Sequence, residues 1–595
     1  MNLRIQPPRR NPGAHALVAA LFLLSGADIG AQNNWMYFGG DQGAAKFSTL
    51  SQINTENVAN LERAWTFHTG NRSGFFEPTP LVVDNVLYFS SQSAIFALDP
   101  VTGAEIWRYE AGGQVTRRGI SYWPGNAQAR PRIITGIGSR MVALDIATGQ
   151  PIPEFGNAGF VDMGTAMASP PAIYRDFIIT PAGRPVIRAW NARTGELVWT
   201  FNLVAQPGDP AHNSWESDAW RTIGGTNVWG YLSVDAQRGI VYIPNSIAGS
   251  DYIGVPRPGD NLYGTSLVAV DANTGKLIWY QQMVHHDIWD YDLGAAPTLF
   301  DVVQNGNRIA AVAQIAKTGM MYIFDRTNGR PIFGMEERPV PQSDVPGEKT
   351  SATQPFPIKP PPLARVSMKK EDLPTEISPE HTAFCQRLWD QYKLQDSGPY
   401  TPWGLNRDVV VFPGAVGGGN WNGITFNASL GLLITNVMNA GQWGHVAQNG
   451  TNFRKVTPEG GRFWEPRSRY TCAKPPWGEL VAVNANTGDI AWHVPLGIFE
   501  ELEARGIKTG TPSLGGAIST AGNLVFIGAT IDGRFRAFDA RNGKELWAEK
   551  IDAPAHSIPS TYMGRDGKQY VVVAAGGGGF LNSPTADALI AFRLR

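Results

Sequence analysis

One pattern of apolar and polar positions recurs along the chain. A short apolar strand leads to Asp or Asn, a turn closes on Gly, and Trp follows four residues after that Gly. Five complete copies of the pattern occupy 97–107, 189–199, 269–279, 482–492 and 537–547. Two further copies, at 143–153 and 323–333, carry Pro153 and Phe333 where the others have Trp. An apolar run, a Gly turn and a returning ring predict a β-hairpin, so the chain should be built from repeated antiparallel sheets.

The repeat predicts how these sheets assemble. One small sheet cannot bury both of its faces, and stacking the copies radially solves this by forming a propeller. Seven copies are visible, and we expect the two ends of the chain to form one more blade, 34–41 with 587–595. The prediction is an all-β fold over 32–595: an eight-bladed propeller with four-stranded antiparallel blades, in which the repeat Trp docks onto the neighbouring blade.

The surplus length falls mostly between 333 and 481, which we predict to hold long surface insertions. Eight prolines lie between Pro339 and Pro362. Because proline removes a backbone donor and fixes its own φ, this stretch cannot be a helix or a central strand. We expect an extended strap on the surface.

Composition supports a β-rich protein outside the cytoplasm. The chain has 67 Gly, 43 Pro and 19 Trp, only 17% charged residues and a net charge of −1, so neither nucleic acid nor an anionic membrane is expected as a partner. Three arginines, the apolar run 16–24 and small residues up to Ala31 resemble a secretory signal over 1–31. No later segment is long and apolar enough to span a membrane. We therefore expect a periplasmic protein.

The chain contains two cysteines, Cys385 and Cys472. In an oxidising compartment they could form a disulfide, and two buried thiols are the alternative. No Cys-x-x-Cys-His motif occurs, so covalently attached haem is not expected.

The segment "HHDIWDYDL", 285–293, is the densest cluster of chemically active side chains. From the residues alone, an aspartate here could cap a turn at a strand end or could serve as a base. Two histidines and an aspartate also suggest a metal, but further spaced ligands for zinc or iron are missing from the sequence. His285, His286 and Asp287 are better interpreted as supports for the loop that carries Asp290.

The repeat, the blade count and the signal together resemble the quinoprotein alcohol and glucose dehydrogenases, which bind pyrroloquinoline quinone (PQQ) on the propeller axis. The resemblance covers nearly the whole mature chain. Three segments make the chain look similar to the single-domain glucose/quinate branch: "HHDIWDYDL", "KTGMMYIFDRTNG" at 317–329, and "VPGE" with "TQPFPIKPPPLAR" in 345–365.

The resemblance implies a role for each matching residue. Asp290 would be the base that takes the hydroxyl proton, and Lys317 the cation beside the quinone oxygens. Trp229 would stack on the flat cofactor. An ion pair with a core carboxylate remains the alternative for Lys317, as does simple packing for Trp229. The remaining cofactor contacts implied by the resemblance are Glu77, Arg118, Thr165, Ser169, Asn420 and Trp421.

The sequence departs from the family pattern in three places. Relatives often carry adjacent cysteines above the cofactor, where this chain has Gly112 and Gly113, and a histidine of the branch is replaced by Gln92. The strand "FIIT", 177–180, is not followed by the usual metal-binding carboxylate. Ca²⁺ could still be held by Asp290, Asn245 and oxygens of the cofactor, although weakly. Without a metal, Arg184 or Lys317 could supply the positive charge.

The predicted function is therefore that of a periplasmic dehydrogenase. It would oxidise a primary or secondary hydroxyl of a polyol, sugar or cyclic alcohol by hydride transfer to PQQ. Electrons would pass to an external acceptor, either a soluble cytochrome c or ubiquinone. A non-catalytic propeller scaffold of the cell envelope is the alternative.

Overall fold

Strands dominate the computed structural model, which describes residues 33–72, 75–181, 185–223, 226–421 and 423–595. The predicted signal, 1–31, and Arg184 lie outside the described residues. Over the described ranges, no helix has both the length and the apolar character needed to cross a membrane.

Eight antiparallel sheets follow one another in the described parts of the chain, and we number them 1 to 8. The strands of the first four are Leu81–Val83, Val86–Ser90, Ala94–Leu98 and Glu105–Glu110 in sheet 1; Ser121–Trp123, Arg132–Ile137, Arg140–Asp145 and Phe160–Asp162 in sheet 2; Ala172–Tyr174, Phe177–Thr180, Val186–Asn191 and Leu197–Asn202 in sheet 3; and Ser233–Asp235, Ile240–Pro244, Ser266–Asp271 and Leu277–Gln282 in sheet 4.

Sheets 5 to 8 continue this order, with one sheet of three strands and one with an added parallel strand. Their strands are Thr298–Gln304, Asn307–Ile315 and Met321–Asp325 in sheet 5; Thr425–Asn427, Leu432–Met438, Gly478–Asn484 and Ile490–Pro495 in sheet 6; Ala517–Thr520, Leu524–Ile527, Arg534–Asp539 and Glu545–Lys550, with the parallel strand Phe47–Ser48, in sheet 7; and Leu61–His68, Ser560–Met563, Gln569–Gly578 and Ser583–Leu594 in sheet 8.

The repeat tryptophans connect one sheet to the next. Trp107 of sheet 1 donates from Nε1 to the Ile146 carbonyl in sheet 2, at 3.1 Å. The same ring covers Gly149, where an added Cβ would lie 2.5 Å from the ring. Gly is required at that turn for this close approach and for its φ of 69°. Equivalent hydrogen bonds run from Trp65 to Pro100, Trp199 to Ala272, Trp279 to Arg326 and Trp492 to Ala540.

Both ends of the chain contribute to sheet 8, because Leu61–His68 pairs antiparallel with Ser583–Leu594. The prediction that 34–41 would supply this strand is wrong. Residues 39 and 40 form a glycine turn instead, and Trp35 bridges Val82 of sheet 1. The eight-residue strand Leu61–His68 is long enough to pair along the twelve-residue strand Ser583–Leu594, and it buries Leu61 and Trp65.

The segment 42–48 runs across the first strands of sheets 4 to 7. Backbone amides of these four strands donate to it at 2.8–2.9 Å: Val234 to Gln42, Leu299 to Gly43, Phe426 to Ala45 and Ser519 to Lys46. The N-terminal segment thus ties four sheets together through their backbones.

The region 333–481 contains two strands of sheet 6 as well as the predicted insertions. Thr425–Asn427 and Leu432–Met438 belong to sheet 6, so the insertions are the stretches before and after these strands. They hold the hairpin Met335–Pro339 with Thr353–Pro357, and a sheet of Val409–Val411, Gln442–Asn449 and Asn452–Val456. The helices of the described chain are Ala219–Thr222, Pro379–Gln391 and Glu500–Glu503, with 3₁₀ turns at Val58–Asn60, His212–Ser214, Lys370–Asp372, Pro458–Gly460 and Gly579–Leu581.

The proline-rich strap is less exposed than expected. Its second strand buries Gln354 and Phe356, and the Phe356 ring lies 5.5 Å from that of Tyr400. A two-stranded hairpin has two free edges, which is why prolines fit into its strands.

Of the two alternatives for the cysteines, the disulfide is the one observed, because Cys385 of the long helix is bonded to Cys472.

Candidate active site

A cavity of about 690 Å³ gathers side chains from separate sheets and from the insertions. Most of the predicted site residues lie on its wall: Glu77, Arg118, Trp229, Asp290, Lys317, Asn420 and Trp421. Thr165, Ser169 and Asn245 lie outside the wall that the described residues form. The cavity therefore brings together seven of the ten side chains from positions far apart in the sequence.

Two carboxylates share one ammonium at the centre of this wall. Lys317 Nζ donates to Asp290 Oδ1 at 2.7 Å and to Asp292 Oδ2 at 2.9 Å. Lys317 follows a strand of sheet 5, and both aspartates lie in the loop that leaves sheet 4. Asp290 has a φ of 66°, which is uncommon for a residue other than glycine and marks a backbone held in place by its surroundings.

The two aspartates differ in their affinity for a proton. Burial raises the pKa of Asp290 well above its usual range, although Lys317 opposes that shift. Burial also acts to raise the pKa of Asp292, but Lys317 and the Ile247 amide outweigh it, and the net shift is downward. Opposed shifts in neighbouring carboxyls assign different roles to them. Asp290 is suited to accept a proton, and Asp292 is suited to remain an anion.

Lys317 stays charged in this arrangement. Burial alone would lower the pKa of its ammonium, but the attraction of Asp292 and Asp290 raises it overall. The alternative from the sequence, an ion pair with carboxylates, is therefore what the structure contains. It does not exclude a contact with the cofactor, since Lys317 lies on the cavity wall.

The Trp229 ring is fixed from several sides. Its Nε1 donates to Asp292 Oδ2 at 3.0 Å, and its ring centroid lies 5.6 Å from Lys317 Nζ and 5.2 Å from Arg118 Cζ. Ser169 Oγ donates to the Trp229 carbonyl at 2.7 Å. Ser169 thus positions Trp229 instead of contacting the cavity, which differs from its predicted role. A ring held in this way offers a preformed flat surface to a planar ligand.

Two arginines and a glutamate also line the cavity. Arg118 Nε lies 3.9 Å from Glu77 Oε2, and Arg117 Nε lies closer to the same oxygen, at 3.2 Å. Burial lowers the pKa of Arg118 to about 10. In the described structure, Arg118 Nε and Ser246 Oγ are buried without a hydrogen-bond partner. Such buried polar atoms indicate a place for a polar ligand.

Asn420 and Trp421 close the cavity next to Lys317. The Trp421 amide donates to Asn420 Oδ1 at 2.7 Å, and the Trp421 ring centroid lies 5.0 Å from Arg118 Cζ. The preceding glycines allow this approach, because a Cβ on Gly417 would lie 2.7 Å from Lys317 Cγ. The glycine run before "NWNG" is therefore part of the site.

The loop around the base is held by the residues that precede it. Asp287 accepts the amides of Trp289 and Tyr291, at 2.9 and 3.0 Å, and His286 Nε2 lies 2.7 Å from Glu348 of the strap. Burial raises the pKa of Asp287 to about 6. These contacts fix the backbone on which Asp290 lies.

Several cavity residues were missed by the sequence analysis. The Tyr252 hydroxyl donates to Asp290 Oδ2 at 3.4 Å. Gln442 and Arg462 reach the cavity from the insertion in sheet 6, and Asp251 and Arg117 also line it. Arg117 is adjacent to a predicted residue and could have been found. Gln442 and Arg462 lie outside the repeat, so no sequence signal marked them.

The site can now be compared with known proteins. A sequence profile described as "PQQ: Glucose/ethanol/alcohol dehydrogenase, beta-propeller domain" matches residues 35–571. The chain belongs to this family of PQQ-dependent dehydrogenases. The predicted enzyme class is thereby confirmed, and the noncatalytic alternative gains no support.

Named relatives extend over most of the chain. The glycerol dehydrogenase large subunit of Gluconobacter oxydans is 31% identical over 95% of this chain and 86% of its own length. The quinate/shikimate dehydrogenase (quinone) of Acinetobacter baylyi is 31% identical, over 95% of this chain and 79% of its own length. The crystal structure of the quinohemoprotein alcohol dehydrogenase of Comamonas testosteroni superposes with a TM-score of 0.67 at 25% identity, over 94% of this chain and 80% of that one.

The observed side chains fit PQQ well and a divalent metal only in part. A flat ring surface, two arginines and buried polar atoms without partners suit a planar, polar cofactor. For a metal, Asp290 Oδ1 is already bonded to Lys317. Asn245 donates from Nδ2 to the Tyr263 carbonyl at 2.7 Å, and its buried Oδ1 has no hydrogen bond in the described structure. Of the two predicted ligands, Asn245 thus offers an oxygen without a hydrogen bond in the described structure, whereas Asp290 is already paired.

Proposed function

We propose that this chain is a periplasmic dehydrogenase that oxidises a primary or secondary hydroxyl of a polyol, sugar or cyclic alcohol. Electrons would leave to an external acceptor, a soluble cytochrome c or ubiquinone. The observation that carries the proposal is the pair of aspartates around Lys317, at 2.7 and 2.9 Å, on the wall of a cavity large enough for a cofactor and a small alcohol. The relatives named for glycerol and for quinate or shikimate support this range of substrates.

We also infer that the eight sheets are the blades of an eight-bladed propeller with Trp docking. The support is the series of Trp hydrogen bonds between consecutive sheets, including Trp65 of sheet 8 to Pro100 of sheet 1, at 3.0 Å. That contact joins the last sheet to the first. The cavity would then lie near the axis, where loops from all blades converge.

The chain's own residues account for the proton in the proposed reaction. PQQ, when bound, supplies the hydride-accepting carbon. Trp229 would hold its flat face, and Arg118 and Glu77 would contact its polar edge. Asp290, once ionised, takes the proton of the substrate hydroxyl, and the Tyr252 hydroxyl orients that carboxylate through Oδ2. Asp292 remains ionised and keeps Lys317 in place beside the reacting groups.

The proposed metal is Ca²⁺, which Asp290, Asn245 and oxygens of the cofactor would hold. The support is the buried Asn245 Oδ1, which makes no hydrogen bond in the described structure. Binding should be weak, because the Lys317 ammonium already neutralises Asp290.

The proposal is tested by adding PQQ to purified apo-protein with and without Ca²⁺. Quenching of tryptophan fluorescence reports binding, and reduction of a dye reports turnover over a panel of polyols, sugars and cyclic alcohols. We expect binding of one PQQ per chain and dye reduction with at least one alcohol. A protein that binds no PQQ, or that binds PQQ and oxidises none of the panel, contradicts the proposal.

A further inference from the structure

Arg462 brings a positive charge to the side of the cavity that contains the base. Its backbone pairs with Gln442, and both residues line the cavity. The Trp443 indole donates to the Arg462 carbonyl at 3.3 Å, which fixes the position of this residue on the insertion. Arg118, by contrast, lies between the rings of Trp229 and Trp421.

Among the described residues, no carboxylate is a counter-ion of the Arg462 guanidinium, which differs in this from the other cations of the cavity. Lys317 is paired with Asp290 and Asp292, and Arg117 and Arg118 are paired with Glu77. Within the described ranges, no carboxylate oxygen forms an ion pair with Arg462, and its recorded side-chain contact is the Trp464 ring at 5.4 Å. Burial lowers the pKa of Arg462. A partly desolvated cation without a partner favours an anionic ligand.

A buried lysine packs against Tyr252 of the cavity wall. Lys455 Nζ is held between the rings of Tyr252, at 3.6 Å from the centroid, and Trp403, at 3.7 Å. This Nζ is buried and makes no hydrogen bond in the described structure. It lies directly behind Tyr252, whose hydroxyl contacts Asp290. Burial lowers the pKa of Lys455 to about 7, so this side chain carries only part of a positive charge at neutral pH, and the exposed Asp251 also lines the cavity. Arg462 is therefore the cation of this region that is available to an anionic ligand.

We propose that Arg462 binds a carboxylate of the substrate, so that the preferred substrates are hydroxy acids instead of neutral alcohols. A guanidinium matches a carboxylate in a two-point hydrogen-bonded pair. The hydroxyl to be oxidised would lie at Asp290 while the carboxylate lies at Arg462. This inference rests on the proposed function, since it assumes that a hydroxyl is oxidised in this cavity.

The test compares each hydroxy acid with its own primary amide, which has the same shape and no charge. Suitable pairs are glycerate with glyceramide, and 3-hydroxycyclohexanecarboxylate with its amide. For the PQQ-loaded enzyme we expect kcat/KM for the acid to exceed that for the amide by at least about tenfold. In Arg462→Gln, that ratio should fall by about 10- to 100-fold, as is typical for losing a charge-assisted hydrogen bond.

Two further variants separate recognition from structural damage. Arg462→Lys retains the charge without the two-point geometry and should keep part of the preference. Arg454→Gln removes an exposed charge from the hairpin that precedes Arg462 and should leave the ratio unchanged. Calorimetry with the cofactor reduced beforehand measures acid and amide binding without turnover, which gives a second reading of the same ratio.

The outcomes distinguish this inference from the proposed function. Oxidation of neutral alcohols with no preference for the acid, or an Arg462→Gln variant that keeps the preference, would overturn the inference alone. Failure to bind PQQ, or to oxidise any alcohol of the panel, would refute the proposed function and this inference with it.

Discussion

Replacing Lys317 with Met tests the electrostatics of the site directly. The ammonium lies 2.7 and 2.9 Å from its two carboxylates, and the three side chains are only 8, 17 and 9% exposed, so solvent screens them little. Removing one partner of a buried ion pair typically costs about 3–5 kcal/mol. We expect a loss of stability of that size at neutral pH. The loss should shrink at low pH, because protonated Asp292 no longer needs a counter-ion.

The same substitution should move the pH dependence of the reaction. Lys317 opposes the upward shift that burial imposes on the pKa of Asp290. Without the ammonium, the base ionises only at higher pH, and the acidic limb of kcat/KM should move by about 1–3 pH units toward alkaline pH, the usual effect of a nearby opposite charge. A loss of cofactor affinity would lower kcat/KM at every pH but would not move the acidic limb, so the two effects can be told apart.

The assay is dye reduction by PQQ-loaded enzyme from pH 5 to 10, with urea unfolding at pH 4 and 7. Lys317→Arg keeps the charge and should keep the limb near its original position. Lys276→Met removes an exposed lysine and should change neither property. A Lys317→Met enzyme with an unshifted limb and wild-type stability would refute the reasoning.

Four further outcomes follow from the contacts. Asp290→Asn should lower kcat by about 100- to 10,000-fold with PQQ affinity nearly retained, and full turnover in this variant would show that Asp290 is not the base. Trp229→Ala should weaken PQQ binding on the order of tenfold by fluorescence titration, and unchanged affinity would exclude stacking. Replacing Cys385 and Cys472 with serine should lower the free energy of unfolding in urea by about 2–4 kcal/mol. Equal urea midpoints for the variant and the wild type would show that the disulfide does not stabilise the protein. A chelator should lower activity reversibly, and Asn245→Ala should raise the Ca²⁺ concentration needed for half-maximal activity. Activity that is unchanged by the chelator would contradict the proposed metal.

The sheets were predictable because their signals are local. Each hairpin needs only an apolar strand, a turn closing on Gly and a Trp, all within eleven residues, as in 97–107. The pairing of Leu61–His68 with Ser583–Leu594 has no such signal, since more than 500 residues separate its strands. The prediction therefore chose the wrong N-terminal segment.

The site was predictable where the resemblance supplied residues, as for Asp290 and Lys317. It was not predictable where the side chains come from insertions, as for Arg462, or act through the backbone, as for Ser169. Tyr252 belongs to a loop outside the repeat, and the periodicity of the sequence does not predict the conformation of such a loop. These contacts depend on tertiary packing alone.

Sheet 8 combines strands that are far apart in the sequence, and this has a consequence for synthesis of the protein. Ser583–Leu594 is translated more than 500 residues after Leu61–His68, so the edge of Leu61–His68 that pairs with this twelve-residue strand stays unpaired during that time. Open strand edges recruit other chains. A nonsense mutation at Ser583 should therefore cause aggregation as severe as a truncation much farther upstream.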